Sequence, residues 1–382
     1  MNNKKISQKE FNRALKLTLL GGSSFTIWFS VASPQPIFNV FFTNYLGATS
    51  SQLGILIGIV QLATLFNLLS ILIYGKIKTR KAYLVTCHLI HRLLGVLLAV
   101  SSFYMARTGD NRGVIKLIFV GSAISWILAS SSGAGWWSWM ADLIPDNIRA
   151  TFFGQRSSVM NIVNIIWFMG VSVLLDTWTS VNVFIVYGVI FSIASIGGLA
   201  DIIMIAFIVE PEQKEREKLT LEHFLEPLKD RNFIIFSIGV GVSVFAVNVF
   251  APFTSPYITA KDTIGAPNTW LGIMFVISQL TWILVSPSWG LIMDKFGRKP
   301  VLMIGCLSTF ANLFYFILSP TNYTFILPVI ALSSGLLAPA LWDGINQMML
   351  SLTPDKNRTA FVAWNMTIVG LVSAGGPILE GY

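Results

Sequence analysis

The chain has 382 residues, of which 54% are hydrophobic and only 12% charged, with a formal net charge of +8. A soluble domain of ordinary composition carries about 25% charged residues. The deficit, with 28 Phe and 12 Trp, excludes a typical water-soluble fold and describes a chain whose outer surface faces lipid.

The first residues, 1–16, are basic and polar and lead into an apolar run too long and too Pro-broken for a cleaved signal peptide, so they are expected to stay on. A helical span needs about 20 mostly apolar residues. Eleven runs of that kind follow: 17–42, 52–75, 82–106, 114–140, 157–178, 182–209, 232–258, 270–293, 300–319, 323–350 and 359–382. Placing the N-terminus inside puts most of the 26 basic residues in alternate, cytoplasmic segments. The exceptions are Arg107, Arg112, Lys116 and Lys261 in the opposite set and Arg92 within a span. The positive-inside rule therefore predicts a multi-pass cell-membrane protein with a cytoplasmic N-terminus. The basic excess is explained by topology, and no nucleic-acid partner is expected. Cys87 and Cys306 each lie in an apolar run, so neither a disulfide framework nor a metal cluster is indicated.

The chain repeats internally. Leu53, Gly54, Ile55, Ile59, Gln61 and Leu62 recur in order and spacing as Leu271, Gly272, Ile273, Ile277, Gln279 and Leu280, and Arg80-Lys81 recurs at the same offset as Arg298-Lys299. Pro145, Asp146, Arg149 and Phe152 recur as Pro354, Asp355, Arg358 and Phe361 at a slightly smaller offset. An even number of spans separates the copies, so they share one orientation across the membrane. The polar stretch from Glu210 to Arg231 divides them as a cytoplasmic linker. The expected organisation is an N-terminal six-helix bundle over 1–209, a linker over 210–231 and a C-terminal bundle over 232–382. Subtracting the second offset from the last residue falls inside the fifth span, so the repeat implies that the end of the eleventh span and a twelfth are missing.

One loop carries the most specific signal. Gly290-Leu291-Ile292-Met293-Asp294-Lys295-Phe296-Gly297-Arg298-Lys299 sits between two apolar runs and resembles the G-x-x-x-D-x-x-G-R-K loop signature of the major facilitator superfamily. Its N-terminal partner keeps Arg80-Lys81 but has Lys76 at the Asp position. The resemblance implies an all-α polytopic fold of two pseudo-symmetric helical bundles, with the first, fourth, seventh and tenth spans lining a central cavity. It also implies that Asp294 and Arg298, with Lys299 beside them, form part of a cytoplasmic latch, the alternative being a topological anchor set by the orientation rule alone. Asp146, Arg149, Asp355 and Arg358 are candidates either for gating or for plain helix starts.

Intramembrane charges are costly and so are functional candidates. His88, His91 and Arg92 share one face of the third span. Arg92 and Asp201 lie at depths of about 15 and 12 Å from the cytoplasmic ends of their spans and are expected to pair. Proton coupling through the histidines is the alternative role, and a metal site is not expected because a third ligand is missing. Asp343 in the tenth span has no basic residue in any C-terminal span to pair with, and Asn346 and Gln347 extend its stripe at i+3 and i+4. Trp342, Gln35, Asn39, Asn248 and Trp136 complete the candidate solute or ion site, since amides and aromatics suit hydrogen bonding and stacking. Proline breaks near Gln35 and Asn248 free backbone carbonyls, which a cavity or a packed partner must satisfy.

These readings point to secondary active transport of a small organic solute by alternating access, with a proton or sodium ion as the coupling partner and the lipid bilayer as the medium. Drug or metabolite efflux by proton antiport and a non-transporting sensor on the same fold are the alternatives. No Gly-x-x-x-x-Gly-Lys-Ser/Thr or Gly-x-Ser-x-Gly motif occurs, so neither nucleotide hydrolysis nor a membrane enzyme is expected, and no cofactor is implied.

Overall fold

The computed structural model describes residues 7–74, 77, 79–211, 224–354 and 358–380. Most of the expected linker lies outside them. Eleven helices are long and apolar enough to cross a membrane: α1 Gln8–Tyr45, α2 Ser50–Leu69, α3 Arg80–Thr108, α4 Val114–Leu143, α5 Asn147–Thr177, α6 Val183–Phe207, α7 Arg231–Thr259, α8 Thr269–Phe296, α9 Arg298–Ile317, α10 Tyr323–Met349 and α11 Ala360–Leu379.

Several helices overrun the apolar stretch that marks them in the sequence. Helix α1 starts at Gln8 because Ser7 and Glu10 form a reciprocal capping box, the Ser7 hydroxyl accepting from the Glu10 N–H and the Glu10 carboxylate from the Ser7 N–H. The fifth helix departs most from expectation. Pro145 occupies its N-cap and the helix runs on from Asp146, so Arg149 and Arg156, expected in a loop, both lie on α5. Apolar length marks the hydrocarbon crossing, whereas a helix continues through good helix formers until its cap.

Breaks occur where the sequence supplies proline or glycine. Helix α1 opens after Ala32 and resumes at Pro36–Val40, ending in a single π turn at Phe41–Tyr45. Between α8 and α9 the chain turns at Gly297, whose φ of +90° disfavours any residue with a Cβ. Helix α9 tightens to 3-10 geometry over Leu307–Ile317.

In the N-terminal bundle, α6 packs along α1 and α3. In the C-terminal bundle, α10 packs along α8 and α9. The bundles meet along the seams of α2 with α11 and α5 with α8, and the second segment of α1 also contacts α7. Small residues make the close approach possible. A Cβ on Gly54 of α2 would strike the Pro377 carbonyl on α11, and one on Gly272 of α8 would press on Met169 and Ser172 of α5. Phe168 and Phe275 face each other across the second seam with ring centroids 4.8 Å apart.

Phe168 of α5 and Leu271 of α8 are buried in the second seam, 2% and 6% exposed, whereas Ile166 and Leu284, on other faces of the same helices, are exposed.

A bulky residue in the α2–α11 seam should be costly. Gly54→Val is expected to destabilise the fold by about 1–3 kcal/mol through overpacking, read as a lower unfolding temperature in detergent. Gly239→Ala, at a helix position with nothing within 4 Å of the added methyl, should leave that temperature unchanged or raise it.

Candidate functional site

Two polar clusters and an open cavity in these bundles gather most of the candidate residues. The first cluster lies inside the N-terminal bundle, where α3, α6 and α1 meet. Arg92 donates through Nη2 to Asp201 Oδ2 at 3.0 Å, both side chains being almost wholly buried. Its guanidinium lies over the Phe25 and Trp28 rings at 4.5 and 4.6 Å. The indole of Trp28 donates to the Arg92 carbonyl at 3.1 Å. Next along α3, the His91 Nδ1 shares a hydrogen bond with Ser125 at 2.9 Å, and its ring sits edge-on between Trp28 and Trp126. His88, one turn earlier, has neither ring nitrogen hydrogen-bonded among the described residues. Arg92 and Asp201 are thus a desolvated pair clamped by aromatics.

The second cluster ties together the N-terminal-face ends of α3, α4 and α6. The buried Arg80 reaches Asp142 at 2.6 Å, Ser138 at 2.8 Å and Glu210 at 3.3 Å, and Glu210 also accepts the Arg80 N–H at 2.8 Å. Trp139 joins in by donating to the Val209 carbonyl at 3.0 Å. Sequence reasoning took Arg80-Lys81 as a degenerate copy of the loop signature. In the structure it is the engaged copy, and the recurrence of Arg-Lys at the repeat offset was the available signal.

The C-terminal copy behaves differently. Asp294, Arg298 and Lys299 are exposed, and among the described residues none of them forms an ion pair. Asp294 and Arg298 instead stand at the mouth of a cavity of about 540 Å³. Helix α8 contributes Ser286, Gly290 and Met293 to its wall, one face at i, i+4 and i+7, and α10 contributes Asp343, Asn346 and Gln347. Ser286 donates to Asp343 Oδ2 at 3.1 Å. Asp343 has no cationic partner within 4.0 Å among the described residues, so its carboxylate is available to a proton, a cation or a polar solute.

The other sequence candidates fall elsewhere. Trp342 is not part of the cavity wall and is 39% exposed. Asn39 is buried in the contact between α1 and α7, where its Nδ2 donates to the Pro252 carbonyl at 3.0 Å. Gln35 opens the second segment of α1, its carbonyl accepting the Asn39 N–H at 2.9 Å. Asn248 on α7 has a buried Nδ2 without a partner among the described residues. Trp136 packs against Trp139, with the Arg156 guanidinium 5.8 Å from its ring. Arg149 closes the end of α4, donating to the Ala141 and Ile144 carbonyls at 2.6 and 2.8 Å, a favourable place for a cation. Asp355 lies outside the described residues, as do the side chains of Asp146 and Arg358.

Sequence reasoning missed the strongest polar contact between the bundles. Asp176, at the end of α5, receives the Asn268 N–H and Nδ2 at 2.9 Å on one oxygen and the Thr269 N–H and Oγ1 at 2.6 Å on the other. A carboxylate on free N–H groups at a helix start is doubly favoured, by hydrogen bonding and by the helix dipole. The only hint was an acidic residue closing one apolar run and an Asn-Thr pair opening another.

The fold and cavity define a polytopic membrane protein of two helical bundles, with a polar cavity walled by helices of the C-terminal bundle. A family model of the Major Facilitator Superfamily matches residues 20–377; the chain belongs to that superfamily, whose members are transporters rather than enzymes. It is 23% identical over 211 residues to the uncharacterized MFS-type transporter YhcA of Bacillus subtilis (strain 168), a match covering 53% of this chain and 36% of the relative. It is 28% identical over 156 residues to the multidrug resistance protein MdtG of Dickeya zeae (strain Ech586), covering 40% and 37%. The chain therefore spans little more than a third of the curated relatives it matches. Among solved structures it resembles the nucleoside transporter NupG (TM-score 0.62, 16% identity, 98% of this chain and 90% of that one) and a D-xylose-proton symporter (TM-score 0.62, 15% identity, 98% and 89%). At these identities the likeness shows a shared fold.

The buried pair gives a direct energetic test. Arg92→Met or Asp201→Leu alone is expected to cost about 3–5 kcal/mol, because each leaves a buried charge uncompensated, while the double variant costs less than the two singles combined. Denaturant unfolding in detergent measures this, and additive effects would show that the two side chains do not interact.

Proposed function

We propose that the protein is a secondary active transporter of a small organic solute in the cytoplasmic membrane, N-terminus inside, working by alternating access with ion coupling. The observation that carries this reading is the asymmetry of the two ends. At the end remote from the N-terminus the bundles are sealed by Asp176 on α8 and by Asn39 on α7, whereas the cavity beside Asp343 opens toward the N-terminal face between Asp294 and Arg298. A site reachable from one side only is what alternating access requires. The exposed C-terminal loop signature fits the same state, since a latch on the open face has nothing to close on. The distribution of Lys and Arg supports a cytoplasmic N-terminus.

In this reading Asp343 is the coupling group. It combines a carboxylate half withdrawn from water with a weak hydroxyl donor and no fixed cation, an arrangement in which taking up a proton or cation changes the local charge outright. Asn346 and Gln347, one turn nearer the opening, orient the solute by hydrogen bonds. The likeness to NupG and to the D-xylose-proton symporter supports a polar solute. Drug or metabolite efflux by proton antiport is the second reading, favoured by the match to MdtG; the residues invoked are the same and only the direction of flux differs.

Reconstitution into vesicles with imposed pH and sodium gradients tests the reading. Asp343→Asn is expected to abolish gradient-driven accumulation while solute exchange at equal concentrations persists. Accumulation at the wild-type level in this variant would remove Asp343 from the coupling role.

A further inference from the structure

Arg156 was expected to be a loop charge, yet it lies on α5 with its guanidinium turned into the bundle. Its Nε donates to the Thr18 carbonyl of α1 at 3.2 Å, and the Trp136 ring of α4 lies 5.8 Å away. The approach depends on a glycine pair. A Cβ on Gly22 would stand 2.7 Å from Nη2 and 2.8 Å from Cζ and Nε of Arg156, and one on Gly21 would stand 3.2 Å from Asp201 Oδ1. Adjacent glycines on α1 thus admit the guanidinium at one and the Asp201 carboxylate at the other. Neither Nη of Arg156 makes a hydrogen bond among the described residues, and the side chain is only half-buried.

The local charges do not balance. Asp201 is committed to Arg92 at 3.0 Å, so two guanidinium groups share one carboxylate and the N-terminal bundle carries a positive charge in excess. Withdrawing such a charge from water without a partner is expensive, and a cation–π contact at this range offsets only about 0.5–1 kcal/mol. Arg156 lies ten residues from the start of its helix at Asp146, and Asp343 nine from the end of its helix at Leu352, which puts both roughly 14–15 Å in from the N-terminal-face ends. Arg156 and Asp343 thus lie at similar distances along their own helices in opposite bundles, although the cavity beside Asp343 is lined by C-terminal residues alone.

We propose that Arg156 is an anion-binding residue of the solute site, so that the transported solute carries a carboxylate or phosphate group, held by the two free Nη groups in the bidentate geometry a guanidinium offers. This rests on the transport reading above and deepens it by naming the substrate class. The fork faces the solute, Trp136 flanks it, and Asp343 on the opposite bundle takes up the coupling ion.

The test is a thermal-shift screen of the purified protein in detergent, using metabolites in pairs that differ in ionisation: carboxylates with their amides, and phosphate monoesters with their parent alcohols. Stabilisation by bound ligand follows its affinity. The anionic member of a pair is expected to raise the unfolding temperature, and the two sets decide between carboxylate and phosphate. Arg156→Gln should weaken binding roughly 10- to 100-fold, the loss expected for a hydrogen-bonded charge. Arg156→Lys keeps the charge beside Asp201, preserving the fold, and should bind more weakly than wild type but still prefer anions. Stabilisation by neutral or cationic members only, by no member, or to an equal degree in wild type and the Lys variant overturns the proposal. Anion binding without flux in vesicles would sink the transport reading and leave the site standing. Flux of uncharged solutes indifferent to Arg156→Gln would do the reverse.

Discussion

A backbone carbonyl in hydrocarbon must find a donor, and that constraint organises the contact between the two bundles. In α7, Pro256 has no N–H to offer the carbonyl of Pro252, four residues earlier. Asn39 of α1 supplies the missing bond at 3.0 Å, and Asn44 reaches the Pro256 carbonyl at 3.1 Å and Thr259 at 3.0 Å. The converse problem, free N–H groups at the start of α8, is solved by Asp176 from α5. These two helix irregularities are each satisfied by the opposite bundle. The closed end is therefore a set of directional polar bonds set among packed rings and glycines, a seal that is either made or broken rather than continuously adjusted.

The charges serve separate purposes. Arg80 with Asp142 and Glu210 fixes three helix ends within the N-terminal bundle, and Arg92 with Asp201 fixes its interior. Each arginine has a carboxylate partner within the protein, and Arg92 is also packed against two aromatic rings, while Arg80 Nη2 and Arg92 Nε and Nη1 make no hydrogen bond among the described residues. Asp343 has one serine, and Arg156 one carbonyl and one ring. Lacking an ion-pair partner within 4.0 Å among the described residues is what sets Asp343 and Arg156, the groups proposed to act on a solute or an ion, apart from the scaffold pairs.

Much of the architecture was legible in the sequence because it depends on simple lengths and chemistry. About 20 apolar residues per crossing gave the spans, and the loop at Gly290–Lys299 gave the superfamily. The stripe of Asp343, Asn346 and Gln347 was legible from helical spacing, and the structure brings those side chains into one cavity wall. What stayed hidden depends on neighbours. Asn39 was read as cavity-lining because a polar residue beside a proline break fits a solute site as well as a seam. Which role holds depends on whether a carbonyl from another helix lies within reach. Arg156 was read as a loop charge because hydropathy marks where a span leaves hydrocarbon, not where its helix begins. The latch expected at Asp294 and Arg298 has no partner pairing with either charge among the described residues, and which conformational state a chain adopts is something no single sequence encodes.

The central claim is that the seam between α5 and α8 opens at one end as it closes at the other. Spin labels at Ser180 and Asp262 would report the sealed end, and labels at Gln155 and Leu291 the open one, with Cys87 and Cys306 replaced. Pulsed dipolar distance measurements with and without a transported solute should show the first distance lengthening as the second shortens. Both distances staying fixed, or moving in the same sense, would contradict a pivot about that seam.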